Sequence, residues 1–157
     1  MTNTNLYNNP VTALKRAVDA AVENVKSGGG PFGAVIVFPD GRVFEGVNRV
    51  TANNDPTAHA EVQAIRNACA AIGSFSLEGA VLFTSCEPCP MCLGAALWSR
   101  VDKIVYTADR FDAADAGFDD AEFYALLEQG NIAERVETGY HLAPFDEWRS
   151  KVNRTDY

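Results

Sequence analysis

The stretch AVLFTSCEPCPMCLGAALWSRVDKIVYTA, residues 80–108, decides the architecture. Residues 80–84 and 103–108 are short apolar runs rich in Val, Ile, Leu and Phe, which predict buried strands. Between them, 88–98 opens on Pro and continues as a good helix former, so a helix is expected there. Strand, helix, strand in one sheet implies a right-handed crossover and a sheet covered on both faces. Working outward, the spacing of Val11, Leu14, Ala17, Val18, Ala21, Val22 and Val25 predicts a helix over 11–26, stopped by Ser27-Gly28-Gly29-Gly30-Pro31. Residues 33–38 and 42–50 flank Pro39-Asp40-Gly41 and read as a hairpin. A helix is expected over 58–72, entered through an Asp or Thr cap. Residues 109–118 read as loop, 121–128 as a short helix, 136–140 as a fifth, edge strand, and 144–152 as a terminal helix. The expected fold is α/β, a three-layer α/β/α sandwich with a mixed five-stranded sheet, in one domain spanning 1–157.

Length and charge narrow the function classes. A chain of 157 residues supports one core without staples. Its 13 basic and 21 acidic residues give a net charge of −8, which repels a phosphate backbone and argues against a nucleic-acid partner. No apolar run is long enough for a bilayer, and residues 1–10 are polar and Asn-rich, with no apolar signal core. The expectation is a cytoplasmic chain with no membrane partner. Four cysteines, Cys69, Cys86, Cys89 and Cys92, then read as metal or redox chemistry before disulfides.

Two motifs carry that chemistry. His59-Ala60-Glu61 opens one helix and Pro88-Cys89-Pro90-Met91-Cys92 opens the next. Cys89 and Cys92, three apart, share a helix face near a positive helix end that favours thiolates. With His59 they make three ligands suited to zinc, leaving a fourth tetrahedral position open, as in catalytic sites. Glu61 is placed to move a proton beside the metal. H-x-E paired with P-C-x-x-C is the signature of the zinc deaminases. Two other readings exist: Cys86 as a fourth ligand closing a structural site in a non-catalytic zinc-stabilised module, or a Cys-x-x-Cys redox pair, which has no use for His59 or Glu61. Cys69 reads as a small apolar helix residue, and His141 as structural.

With Gly29-Gly30-Pro31-Phe32-Gly33-Ala34-Val35, Asn54 to Glu61, Thr84 to Ala95, Asp115-Ala116-Gly117-Phe118-Asp119-Asp120 and the aromatic tail Phe145, Trp148 and Tyr157, the chain resembles the zinc-dependent cytidine/deoxycytidylate deaminase superfamily, and within it the bacterial guanine deaminases. The resemblance implies a cytidine deaminase-like fold and one zinc per subunit, held by His59, Cys89 and Cys92. It implies Glu61 as proton shuttle and Asp120 as a second acid. Phe32, Asn48, Ala60, Trp98 and Tyr157 would contact a purine. The implied reaction is hydrolytic conversion of guanine to xanthine and ammonia; guanosine or another amino-heterocycle is the alternative substrate. It further implies a homodimer in which 141–157 crosses to the partner and brings Tyr157 to its site. On residue chemistry alone Phe32 and Trp98 read as core rather than as pocket walls, Asn48 reads also as a turn residue, and Asp119 or Asp120 reads equally as a helix cap.

Overall fold

The computed structural model describes residues 5–130 and 132–157, so the first four residues of the polar N-terminal stretch lie outside the described residues. After a single 3-10 turn at Leu6–Asn8 come α1 (Pro10–Lys26), the hairpin β1 (Gly33–Val37) and β2 (Val43–Val47), the short α2 (Val50–Asn53) and α3 (Ala60–Ile72). Then follow β3 (Val81–Cys86), α4 (Pro90–Trp98), β4 (Lys103–Ala108), α5 (Arg110–Asp115), α6 (Asp120–Gln129) and α7 (Ala143–Ser150). The strand order is β2-β1-β3-β4. β1 runs antiparallel to both β2 and β3, while β3 and β4 are parallel, as the intervening α4 requires.

Alternation along β1 sorts the core into two layers. Val35 and Val37 join Phe83, Ala13 and Ala17 beneath α1. Ala34 and Ile36 face the other way, joining Leu82, Ala60, Ala64 and Ala96 beneath α3 and α4. Gly46 lets α3 lie directly on β2: a Cβ there would run into the Ala60 carbonyl and the Ala64 amide. The α/β sandwich and its mixed sheet therefore stand. No helix among the described residues is long and apolar enough to cross a membrane.

Three expectations need correction. The sheet has four strands, not five. Val136 and Tyr140 are 69% and 79% exposed, so the run has no buried face to hold it on an edge. Gly139 turns left-handed at φ +75°, and the Glu137 and His141 side chains pair across the turn. The expected loop at 109–118 contains α5. Its signal is a capping box in which Asp109 accepts from the Phe111 and Asp112 amides and Asp112 accepts from the Asp109 amide. Finally, α3 begins at Ala60 with His59 as its N-cap and no side-chain cap at all. The cap position is filled by a residue whose ring is engaged elsewhere.

Candidate metal centre and cavity

α3 and α4 pack side by side on one sheet face, and both start at the same end of the sandwich. His59 and Cys89 occupy the two N-cap positions in extended backbone conformation, and neither side chain caps its own helix. Both side chains are thereby free to turn toward each other. Cys92, in the first turn of α4, completes the set. The His59 Nδ1 atom lies 3.6 Å from Cys89 Sγ and 3.5 Å from Cys92 Sγ. A tetrahedral zinc ion with its ordinary bond lengths to nitrogen and sulfur separates such ligands by about 3.6 Å. Both nitrogen–sulfur separations match that value, and the three donor atoms lie within 4.8 Å of one another.

Electrostatics agree with this. The Cys89 thiol is pulled down to about 4 by hydrogen bonds from Cys92 and His59. Cys92 is pushed up by sharing its proton with Cys89 and by burial, and His59 is raised by its bond to Cys89. The direction at Cys89 favours its thiolate, the form in which a cysteine binds a metal.

Glu61 is buried in the first turn of α3, with Oε1 3.3 Å from Thr84 Oγ1 and Oε2 3.4 Å from Cys92 Sγ. Burial raises its carboxyl above the usual range, which suits a group that must both take and give a proton. His59, Glu61 and Cys89 open onto a cavity of about 370 Å³ together with Phe32, Asn48 and Asp120. Asp120 is the first residue of α6. Burial and the Cys89 charge raise its carboxyl as well. The N-cap of α6 is Asp119, and its side chain makes no capping bond, so neither acid is spent on the helix end.

The Asn48 carbonyl accepts from Asn24 Nδ2 at 2.9 Å, and its Oδ1 accepts from the Val50 amide at 3.2 Å. Among the described residues its side-chain nitrogen has no protein partner, leaving two N–H donors for whatever occupies the cavity. The same Asn24 amide holds the Gly30 carbonyl at 2.8 Å, tying the glycine-rich wall to the Asn48 wall. Phe32 lines the cavity and meets Phe118 edge-on at 4.8 Å.

Two of the expected contacts, Ala60 and Trp98, lie elsewhere, and Tyr157, expected at a partner's site, stands outside the cavity of its own chain. Ala60 is fully buried in the core, so only its backbone at the helix start can face a ligand. Trp98 is 63% exposed, at the far end of α4, roughly 13 Å along the axis from Cys89. Tyr157, 74% exposed, packs against Trp98 and Phe75 rather than the cavity of its own chain. Cys86 is no part of the ligand group, in which His59, Cys89 and Cys92 stand together within 4.8 Å. Its thiol donates to the Asp109 carbonyl at 3.5 Å and is pushed up to about 12 by burial. Phe118, Asn24 and Glu87 were not singled out from the sequence. Phe118 alone had a local signal, an aromatic set between Gly117 and Asp119 just ahead of a helix.

Residues 8–108 match the family described as the cytidine and deoxycytidylate deaminase zinc-binding region. This chain belongs to that deaminase family. Its three-ligand set is positioned to hold a metal ion, and zinc is the metal of that family. Among its relatives, guanine deaminase of Bacillus subtilis (strain 168) is 50% identical over 156 residues, covering 95% of this chain and 99% of the relative. The X-ray structure of guanine deaminase from Bacillus subtilis superposes with a TM-score of 0.88 at 51% identity, covering 94% of this chain and 98% of that one. The tRNA-specific adenosine deaminase of Bacillus subtilis (strain 168), another relative, is 39% identical over 108 residues, covering 69% of this chain and 63% of its own length.

Proposed function

We propose that the protein is a zinc-dependent guanine deaminase, releasing xanthine and ammonia. The observation that carries this reading is the open three-ligand set with Glu61 beside it, in the same cavity as the free Asn48 amide. When bound, zinc supplies a Lewis acid that makes a water acidic enough to react at neutral pH. Glu61 is placed to take a proton from the attacking water and to give it to a ring nitrogen as the water oxygen bonds to C2 of guanine. Asp120, across the cavity, assists the departing amine as ammonia. The two N–H donors of Asn48 match the adjacent O6 and N7 acceptors of guanine, whereas adenine presents a donor beside N7. Phe32 offers an apolar wall for the ring.

The net charge of −8 suits a small-molecule substrate better than RNA, and the free thiols suit a reducing, cytoplasmic setting. We further infer a homodimer in which segment 141–157 reaches the partner's cavity. Support comes from the exposure of Phe145, Trp148 and Tyr157, and from α7, which packs closely on no helix or strand of its own chain.

Ammonia release from guanine, guanosine, adenine, cytosine and cytidine tests the substrate. Guanine should be turned over at least about 100-fold more efficiently than adenine, cytosine and cytidine, which lack its adjacent O6 and N7 acceptors, since a missing buried hydrogen bond costs several kcal/mol. It should also be turned over more efficiently than guanosine, whose ribose the cavity must also admit. Guanosine turned over as well as guanine, or guanine left intact, would contradict the reading.

A further inference from the structure

Beside the zinc ligands a ring of contacts joins three segments, and the reaction just described makes no use of it. Glu87 lies two residues before Cys89. Its carboxylate accepts from the Arg110 backbone amide at 3.0 Å, from Nε at 3.2 Å and from Nη2 at 2.7 Å. Its own amide donates to the Ala108 carbonyl at 2.8 Å. The Arg110 guanidinium sits 3.5 Å from the centre of the Tyr124 ring. Tyr124 closes the ring by donating its hydroxyl to the Pro88 carbonyl at 2.6 Å. The Glu87 side chain is 13% exposed and that of Arg110 30% exposed, so solvent screens this pair less than a surface one. Charge-assisted forked bonds and a stacked guanidinium both fix orientation as well as distance.

The consequence falls on α6. This helix has no fully buried residue of its own, so apolar packing alone fixes it weakly. Asp120 and Tyr124 stand four residues apart and therefore on one face. Anchoring Tyr124 to Pro88, next to the ligand Cys89, turns that face toward the metal centre and carries Asp120 with it.

We propose that the Glu87–Arg110–Tyr124 clamp positions Asp120 against the reacting amine, with Arg110 and Tyr124 as positioning residues for turnover. The proposal rests on the role given to Asp120 above. A clamp that merely stiffens the fold would lower activity by the same factor whether or not Asp120 is present. A clamp acting through Asp120 has nothing left to position once that carboxylate is gone.

The test is a double-mutant cycle on the full zinc-loaded protein with Tyr124→Phe, Asp120→Asn and the pair, reading kcat, KM for guanine and bound zinc. Tyr124→Phe keeps the ring and loses only the bond to Pro88. It should retain zinc, leave KM within about twofold, and lower kcat roughly five- to tenfold, the worth of one hydrogen bond. In the Asp120→Asn background the same change should lower kcat no further. Unchanged kcat in Tyr124→Phe, an equal fall in both backgrounds, or loss of zinc would each overturn the proposal. Full activity in Asp120→Asn would overturn it together with the role of that acid. A wild-type protein inactive on guanine would remove the function itself, a failure visible before any variant is compared.

Discussion

Glu61 shows how one side chain acquires a role from its surroundings. Placed in the first turn of α3, it is buried between Thr84 and Cys92, and burial lifts its carboxyl above the usual range. A carboxylate poised this way exchanges a proton with both a water and a ring nitrogen. Glu61→Gln keeps the shape and removes the exchange. It should retain one zinc per chain by metal analysis and lose about 10²- to 10⁴-fold in turnover of guanine. Near-normal turnover would contradict the assignment. The residues of this scale that were legible in the sequence are those whose geometry is local. His59 and Glu61 are two apart and Cys89 and Cys92 three apart, so each pair is a short motif at a helix start, with His59 and Cys89 as the N-caps and Glu61 and Cys92 in the first turns. Asn24 and Glu87 were illegible for the opposite reason: their partners Asn48 and Arg110 lie 24 and 23 positions away. No local pattern records such a meeting.

Among the elements, α1, β1, α4 and α6 stand close to where the sequence placed them, whereas 109–118 and 136–140 differ from expectation. β1 is buried on both faces, as its apolar run says, whereas α1 buries Ala13, Ala17 and Ala21 and leaves Val11, Val18, Val22 and Val25 exposed. The run at 136–140 carries Val and Tyr but no burial, and the chain leaves it on the surface. α5 is short and rich in Asp and Ala; its capping box, not its hydrophobicity, makes it a helix. The metal ligands depend on the seating of α3 on β2, because His59 is the N-cap of that helix. Gly46 sets that seating. Gly46→Ala should push α3 outward, cost about 1–3 kcal/mol of stability by chemical denaturation, and weaken zinc retention under a chelator. A variant of unchanged stability and zinc affinity would show that the helix adjusts elsewhere.

The molecule as a whole divides into a packed sandwich that holds the zinc site and a C-terminal segment with little to rest on. Trp98 and Tyr157 lie outside the cavity of their own chain, 63% and 74% exposed, and the aromatic face of α7 is open. That distribution was not visible from composition, because an exposed aromatic and a core aromatic read alike in a sequence. If the segment closes a partner's cavity, a chain ending at Asp146 should keep its fold and its zinc but lose at least about tenfold in kcat/KM for guanine, the scale of one aromatic contact. Full activity in the shortened chain would contradict the lid role. The central claim concerns the sandwich itself, that its zinc site hydrolyses guanine. Following xanthine and ammonia from guanine before zinc removal, after chelation and after zinc is restored tests it most directly. Equal amounts of the two products, lost on chelation and recovered with zinc, are predicted. A zinc-loaded protein that yields neither would contradict the account.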